Sequence, residues 1–210
     1  MCKRFVIALA ISLTAGGAQQ LFNGKNLDGW EFLGREPGQK GFAVEEGVMH
    51  TSDGKGMLWY TRQKIGHATI HVVYKMSNEK GNSGVFIRIP EPPKAESDAI
   101  NKGIEVQIDN RDNDWHCTGV LYSLTKAMAR PYKPAGVWNT MDITLDGLRT
   151  IVRVNGVLVT DYDGVSPVPP KDKSYEPDRG PRPESGYIGL QKHDDEAVIS
   201  FKEISVRPLK

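Results

Sequence analysis

The chain has 210 residues, and its 27 Lys and Arg are offset by 26 Asp and Glu for a formal charge of +1, with the two signs interspersed. A nucleic-acid or anionic-membrane partner requires a basic stripe, so neither is expected. With only two cysteines, Cys2 and Cys117, the sequence also lacks the framework of a disulfide scaffold.

The N-terminus has the pattern of a secretory signal peptide over residues 1–18. Met1-Cys2-Lys3-Arg4 is basic, Phe5 to Leu13 is apolar, and Thr14 to Ala18 is rich in small residues, with cleavage expected after Ala18. The apolar run is shorter than the roughly 20 residues that cross a bilayer, and no later stretch is long enough, so no membrane span is expected. Cys2 is not preceded by a small-residue lipobox. Residues 19–210 are therefore expected to form one exported domain, periplasmic or secreted, with a sizeable core. In that mature chain Cys117 has no disulfide partner and is expected to be a buried small hydrophobe.

Strand and turn signals dominate after the leader, and helical periodicity is missing. Strands are predicted at Thr69 to Lys75, Val85 to Ile89, Ile104 to Ile108, Thr140 to Leu145, Thr150 to Val154, Val157 to Thr160, Tyr187 to Gln191 and Val198 to Val206. Asp146-Gly147 and Asn155-Gly156 separate alternating runs and predict a meander, with Met141, Ile143 and Leu145 on its core face and Asp142 and Thr144 opposite. Many short antiparallel strands in a chain of this length indicate an all-β, two-sheet antiparallel sandwich or jelly roll. Pro90 to Asn101 and Val165 to Ser185, the latter with six prolines, are predicted as loops.

Two of these strands carry the chemical interest. With Val85 and Ile87 facing a core shared with Ile104, Val106 and Ile108, the residues Phe86, Arg88, Glu105, Gln107 and Asp109 point the other way. Such a set can hydrogen-bond and stack on a polar, ring-shaped ligand. Glu105 and Asp109 alone do not form a glycosidase pair: four strand residues separate them by about 13 Å, whereas inverting enzymes reach only about 9.5 Å. A loop carboxylate such as Asp112, Asp114 or Asp194 is needed to complete one.

Among the five histidines, His67 and His71 have helical metal-ligand spacing but lie in a predicted strand, which holds them too far apart to share an ion. His193 follows Gly186-Tyr187-Ile188-Gly189-Leu190-Gln191, where Tyr187 and Gln191 face away from the core. That places a general acid or base beside the polar cluster, if the two faces coincide. The nucleophile elbow, the P-loop and the dinucleotide fingerprint all fail to match.

Several segments together carry a resemblance. They are Leu21-Phe22-Asn23-Gly24-Lys25-Asn26-Leu27-Asp28-Gly29-Trp30, Asn82 to Arg88, Gly103 to Asp109, Thr118-Gly119-Val120-Leu121-Tyr122, Lys133-Pro134-Ala135-Gly136-Val137-Trp138-Asn139, Val154-Asn155-Gly156 and Gly186 to His193. In this order they resemble the 3-keto-disaccharide hydrolase domain family, across nearly all of the mature chain. The resemblance implies a concanavalin A-like sandwich that cleaves the glycosidic bond of sugars oxidised to a ketone at carbon 3. It also implies a functional link to a sugar 3-dehydrogenase that makes the keto-sugar. Two departures stand out: Val137 replaces a typical Glu, and Asp194 replaces a Gly after the histidine.

The implied chemistry needs one base, one enolate stabiliser and one acid. His193 or Glu105 is the expected base, Arg88 or a divalent cation the enolate stabiliser, and Tyr122 or Asp109 the group assisting departure. Gln107 and Gln191 are expected to hold hydroxyls, with Trp138 or Phe86 stacking on a sugar ring and Asn139 joining the binding set. A metal held by Glu105, Asp109 or His193 is compatible with these donors, but no ligand spacing demands it. The alternatives are a non-catalytic, lectin-like carbohydrate-binding module on the same sandwich and a conventional glycosidase.

Overall fold

The computed structural model describes residues 17–111 and 113–210; most of the expected leader and Asp112 lie outside the described residues. The first strands are β1 (Gln19–Gln20), β2 (Trp30–Gly34), β3 (Phe42–Glu45), β4 (Val48–Thr51), β5 (Gly56–Tyr60), β6 (Ile65–Gly66), β7 (Ala68–Met76) and β8 (Asn82–Ile89). A short helix α1 (Glu96–Lys102) precedes β9 (Ile104–Asp109). The chain then forms β10 (Asn139–Asp146), β11 (Arg149–Val154), β12 (Val157–Tyr162), β13 (Ser185–Lys192) and β14 (Ile199–Pro208).

All pairings are antiparallel, and they build two sheets. One runs β12-β11-β10-β7-β14-β4-β3, with β1 added on β14; the other runs β2-β5-β13-β8-β9, with β6 added on β13. Residues 118–122 extend the second sheet beyond β9: Gly119 N donates to Gln107 O (2.9 Å), Gln107 N to Val120 O (3.0 Å) and Tyr122 N to Glu105 O (2.9 Å).

The core lies between the sheets because alternation puts one face of each strand inward. Ile70, Val72 and Tyr74 of β7 and Met141, Ile143 and Leu145 of β10 meet Val85 and Ile87 of β8, Val106 and Ile108 of β9, and Ile188 and Leu190 of β13, all essentially inaccessible to water. Burying each such aliphatic side chain contributes roughly 1.5–3 kcal/mol before entropy is charged against it. Cys117 is buried in the same cluster.

The meander forms as the turns predict, with one shift. Asn155 and Gly156 are the two loop residues between paired Val154 and Val157, and both take positive φ (50° and 82°), as a type I′ turn requires. At the other turn Asp146 pairs with Arg149, so the loop is Gly147-Leu148, with Gly147 at φ 56°.

The segment predicted as a loop from Pro90 to Asn101 contains α1, which is a correction. Seven residues following three closely spaced prolines give no helical periodicity to read. What anchors the helix is tertiary: Ala99 is buried on the outer face of the second sheet against Met57, Trp59, Phe86 and Ile89.

Candidate active site

The outer face of the second sheet is divided in two. Under α1 it is apolar; beside α1 it is polar and opens into a pocket of about 310 Å³. The sheet supplies Asn82 from β8, Glu105 and Gln107 from β9, and Gln191 from β13, with His193 one residue beyond that strand. Tyr122 comes from the segment that extends the sheet past β9. The walls are Arg35 after β2, Ile100 of α1, and Tyr175 of the proline-rich loop.

Strand alternation accounts for the floor. Glu105 and Gln107 lie two residues apart on β9 and share a face, and Gln191 shares that face two strands away. Gly84 stands opposite Gln107, and a Cβ there would overlap the Glu105 side chain, so its lack of a side chain makes room for the carboxyl. Gln107 Nε2 donates to Asn82 Oδ1 (3.1 Å), which sets the amide and turns its Oε1 into a bare acceptor.

Three buried side-chain oxygens, Glu105 Oε1, Gln107 Oε1 and Gln191 Oε1, have no hydrogen-bond partner among the described residues. Leaving each unsatisfied costs about 1–3 kcal/mol. Three around one pocket make it a candidate site for a polar ligand. Burial, with a smaller contribution from the nearby Glu96 carboxylate, pushes the Glu105 carboxyl up to about 8, so it carries a proton at neutral pH. Glu96 is itself nearly inaccessible and is paired by Arg35, whose Nε and Nη2 both lie 2.8 Å from its Oε2.

His193 is oriented by its neighbour. Its Nδ1 lies 2.7 Å from Asp194 Oδ2, and because a carboxylate only accepts, Nδ1 carries a proton; in the neutral ring the lone pair is then on Nε2. Asp194 Oδ1 accepts from Glu196 N (3.0 Å), so both carboxylate oxygens are fixed. Burial alone would raise the Asp194 carboxyl; the bonds from His193 and the Glu196 backbone hold it below its ordinary range. Buried Lys192 fastens the same turn, donating to Asp195 Oδ1 (2.7 Å) and to the Asp194 carbonyl.

The pocket thus gathers Glu105, Gln107, Tyr122, Gln191 and His193. The other expected site residues lie elsewhere, each for a physical reason. Arg88 is removed from the platform by a β-bulge: between the pairs Phe86↔Gly189 and Tyr187↔Ile89, β8 has two residues where β13 has one. Arg88 takes φ 56°, turns to the inner side and is buried. There it donates to Arg149 O (3.0 Å), Pro183 O (2.8 Å) and Thr150 Oγ1 (3.2 Å). Gly186 permits this, since a Cβ on it would strike the Arg88 backbone.

Asp109 is buried at the end of β9 in a bidentate pair with Arg111 (3.1 and 2.8 Å), which removes it as an acid and as a metal ligand. Phe86 does face outward but is sealed beneath α1. Trp138 lies just before β10, at the opposite sheet, where Lys75 Nζ lies 4.7 Å and Lys202 Nζ 5.9 Å from its ring centroid. Asn139 is a structural tie: its Oδ1 accepts from Lys133 N and Asn155 Nδ2 (both 2.8 Å) and its Nδ2 donates to Val137 O (3.1 Å).

Of the two described loop carboxylates, Asp114 is held by Arg130, while Asp194 stands beside the site on His193. His67 and His71 engage different aspartates, Asp146 (3.4 Å) and Asp142 (2.6 Å), on the other sheet. Asn82, Arg35, Ile100 and Tyr175 were not singled out by sequence reasoning. Of these only Asn82, at the start of the Asn-Ser-Gly motif, carried a local signal.

Matching against family models settles the relationship, through the 3-keto-alpha-glucoside-1,2-lyase-like domain model. The chain belongs to that family. The match runs over residues 17–207, which contain every pocket residue. Among solved structures, a "Putative glycosyl hydrolase" from Parabacteroides distasonis ATCC 8503 is similar at 25% identity and TM-score 0.73, over 92% of this chain and all of that one. A second one from the same organism has 26% identity and TM-score 0.64, covering 91% of this chain and 84% of that one.

The carbohydrate-binding module CBM66 from Bacillus subtilis shares the fold at 16% identity and TM-score 0.56, over 85% of this chain and 95% of that one. No curated protein sequence matches. This member of the 3-keto-alpha-glucoside-1,2-lyase-like family is a concanavalin-like sandwich of the carbohydrate-active enzyme or carbohydrate-binding class. Among the described residues no helix is long and apolar enough to cross a membrane.

Proposed function

We propose that the protein is an exported 3-keto-glycoside hydrolase that works by carbon 2 proton abstraction, elimination and hydration. The observation that carries this reading is one pocket holding two proton-transfer groups set for opposite tasks: His193, its Nε2 lone pair exposed by the Asp194 bond, and Glu105, kept protonated by burial. Family membership and the glycosyl hydrolase relatives support the substrate class.

A ketone at carbon 3 acidifies the carbon 2 hydrogen. His193 Nε2 takes that proton, and the C–H electron pair moves onto the carbon 3 oxygen as an enolate. The enolate collapses, the carbon 1–oxygen bond breaks, and the departing oxygen takes the proton of Glu105. Water then adds at carbon 1 of the unsaturated ketone, a proton returns to carbon 2, and the net change is hydrolysis. Tyr122 lines the same pocket, and in this reading the bare oxygens of Gln107 and Gln191 accept from sugar hydroxyls.

The bare amide oxygens of Gln107 and Gln191 would also serve as hard donors to a divalent cation, while Glu105 as acid and His193 as base are committed to proton transfer. Such a cation would supply positive charge to an enolate oxygen. No group of three His, Cys, Asp or Glu side chains suited to a metal occurs among the described residues, so the amide oxygens would have to take part.

The test is to incubate the protein with a 3-keto-disaccharide and its unoxidised parent, with and without divalent cations, and to follow monosaccharide release. Cleavage of the keto-sugar alone, lost in His193→Ala, is expected. Binding of either sugar without cleavage would instead support a lectin-like module, and cleavage of the unoxidised sugar a conventional glycosidase. Residues 163–184 precede β13 and border the pocket at Tyr175.

A further inference from the structure

The proline-rich segment before β13 is the part of the chain with no catalytic assignment, yet it reaches the pocket at one place. Tyr175 lines the pocket while remaining 62% exposed. An aromatic ring so exposed loses apolar burial unless something covers it, and the ring is not on a loose tip. Next to it, buried Glu176 accepts from Asp172 N (3.0 Å) and from Arg179 Nη2 (2.9 Å). Arg179 in turn donates to Pro169 O (2.7 Å) and Pro177 O (2.6 Å).

The turn is also fastened to the rest of the molecule. Asp178 N donates to Asn101 O (3.3 Å), and Arg182 donates to Asn101 O (3.0 Å) and Gly103 O (2.8 Å), the carbonyls at the end of α1. Tyr175 is therefore presented by a braced turn, which reduces the ordering cost of a contact made on its face.

The pocket has a division of labour. Residues with acid, base or bare-acceptor chemistry, Glu105, Gln107, Gln191 and His193, come from the sheet or the residue following it. The walls contributed by α1 and the loop are Ile100 and Tyr175, an apolar side chain and an aromatic ring. A ring bound at the floor for reaction leaves these walls to whatever is attached to it.

We propose that Tyr175 is the stacking residue of a leaving-group subsite, so that the preferred substrates carry a second ring, a sugar or an aromatic group, on the departing oxygen. This rests on the glycoside-cleaving reading above. An aromatic face stacks on the C–H face of a pyranose or on an aryl ring, and a small alkyl group gives it too little surface.

The experiment measures binding and turnover separately, on wild type, Tyr175→Ala and Tyr175→Phe. Two ligands with the same glycosyl ring are compared, a disaccharide and the methyl glycoside, by calorimetric titration of the His193→Ala background and by kinetics of their 3-keto forms in the active protein. Wild type is expected to bind the disaccharide more tightly. Tyr175→Ala should weaken it about fivefold, in the range of a single stacking contact, with a clearly smaller loss on the methyl glycoside, while Tyr175→Phe retains the preference. Equal affinity of wild type for the two ligands, or equal losses on both in Tyr175→Ala, overturns the proposal. Ring-selective binding without cleavage of either keto-sugar upholds the subsite and overturns the hydrolase reading instead.

Discussion

The protonated state of Glu105 makes a quantitative prediction about stability. An unfolded glutamate titrates near 4.5, and the buried Glu105 carboxyl near 8. Between those values the folded chain holds a proton that the unfolded chain has released, so stability falls as pH rises through the window and is fully lost to this group above 8. At about 1.36 kcal/mol per pH decade the whole interval corresponds to roughly 5 kcal/mol. The side chain keeps partial contact with the pocket, and solvent there reduces the expected loss to about 3 kcal/mol.

Glu105→Gln keeps the shape and the hydrogen-bonding end but cannot ionise. Relative to wild type it should be nearly neutral at pH 5 and more stable at pH 9 by about 3 kcal/mol, which for a chain of this size is about 6–12 °C in Tm. Thermal and urea unfolding of both proteins from pH 4.5 to 9 would measure it. Parallel pH profiles, with a constant offset between the two, would refute a raised carboxyl and with it the assignment of Glu105 as the acid. Glu96→Gln, which removes the neighbouring carboxylate, should shift the wild-type transition towards lower pH.

Asp194→Asn should leave the fold intact and lower kcat about 10- to 100-fold, because an amide no longer secures the Nδ1–H tautomer of His193; an unchanged kcat with unchanged stability would contradict the orienting role. Arg88→Met should destabilise by about 3 kcal/mol through the stranded carbonyls of Arg149 and Pro183, with kcat of the folded fraction retained. A collapse of kcat at constant stability would return Arg88 to the chemistry. Gly84→Ala should push the Glu105 side chain aside, costing about 1–3 kcal/mol and reducing turnover, with both effects read from denaturant melts and kinetics on the same preparation.

Legibility of the fold tracked how local its causes were. From Ala68 to Met76 and from Asn139 to Val154 each strand has one buried face, and the alternation is visible in the residues themselves. The strands before Ala68 are short and carry little of this signal. β5, Gly-Met-Leu-Trp-Tyr, is buried on both faces and so shows no period of two, and β1 and β6 have two residues each. α1 is a helix because of what Ala99 rests on, not because of its own spacing.

The site divides in the same way. Alternation along β9 and β13 by itself puts Glu105, Gln107 and Gln191 on one kind of face, since a strand's geometry fixes which neighbours share a side. Asp194 beside His193 is adjacent in the chain, so the pair was already present in the sequence. That Arg88 leaves the platform depends on one extra residue relative to β13, and that Phe86 is sealed depends on a helix arriving from outside the sheet. Tyr175 reaches the pocket only because its loop is tied to Asn101 and Gly103. Register against a partner strand and docking of distant segments are relations between parts of the chain, whereas periodicity and turn chemistry are properties of a few consecutive residues; the former required the tertiary structure, and the latter were determined by the sequence alone.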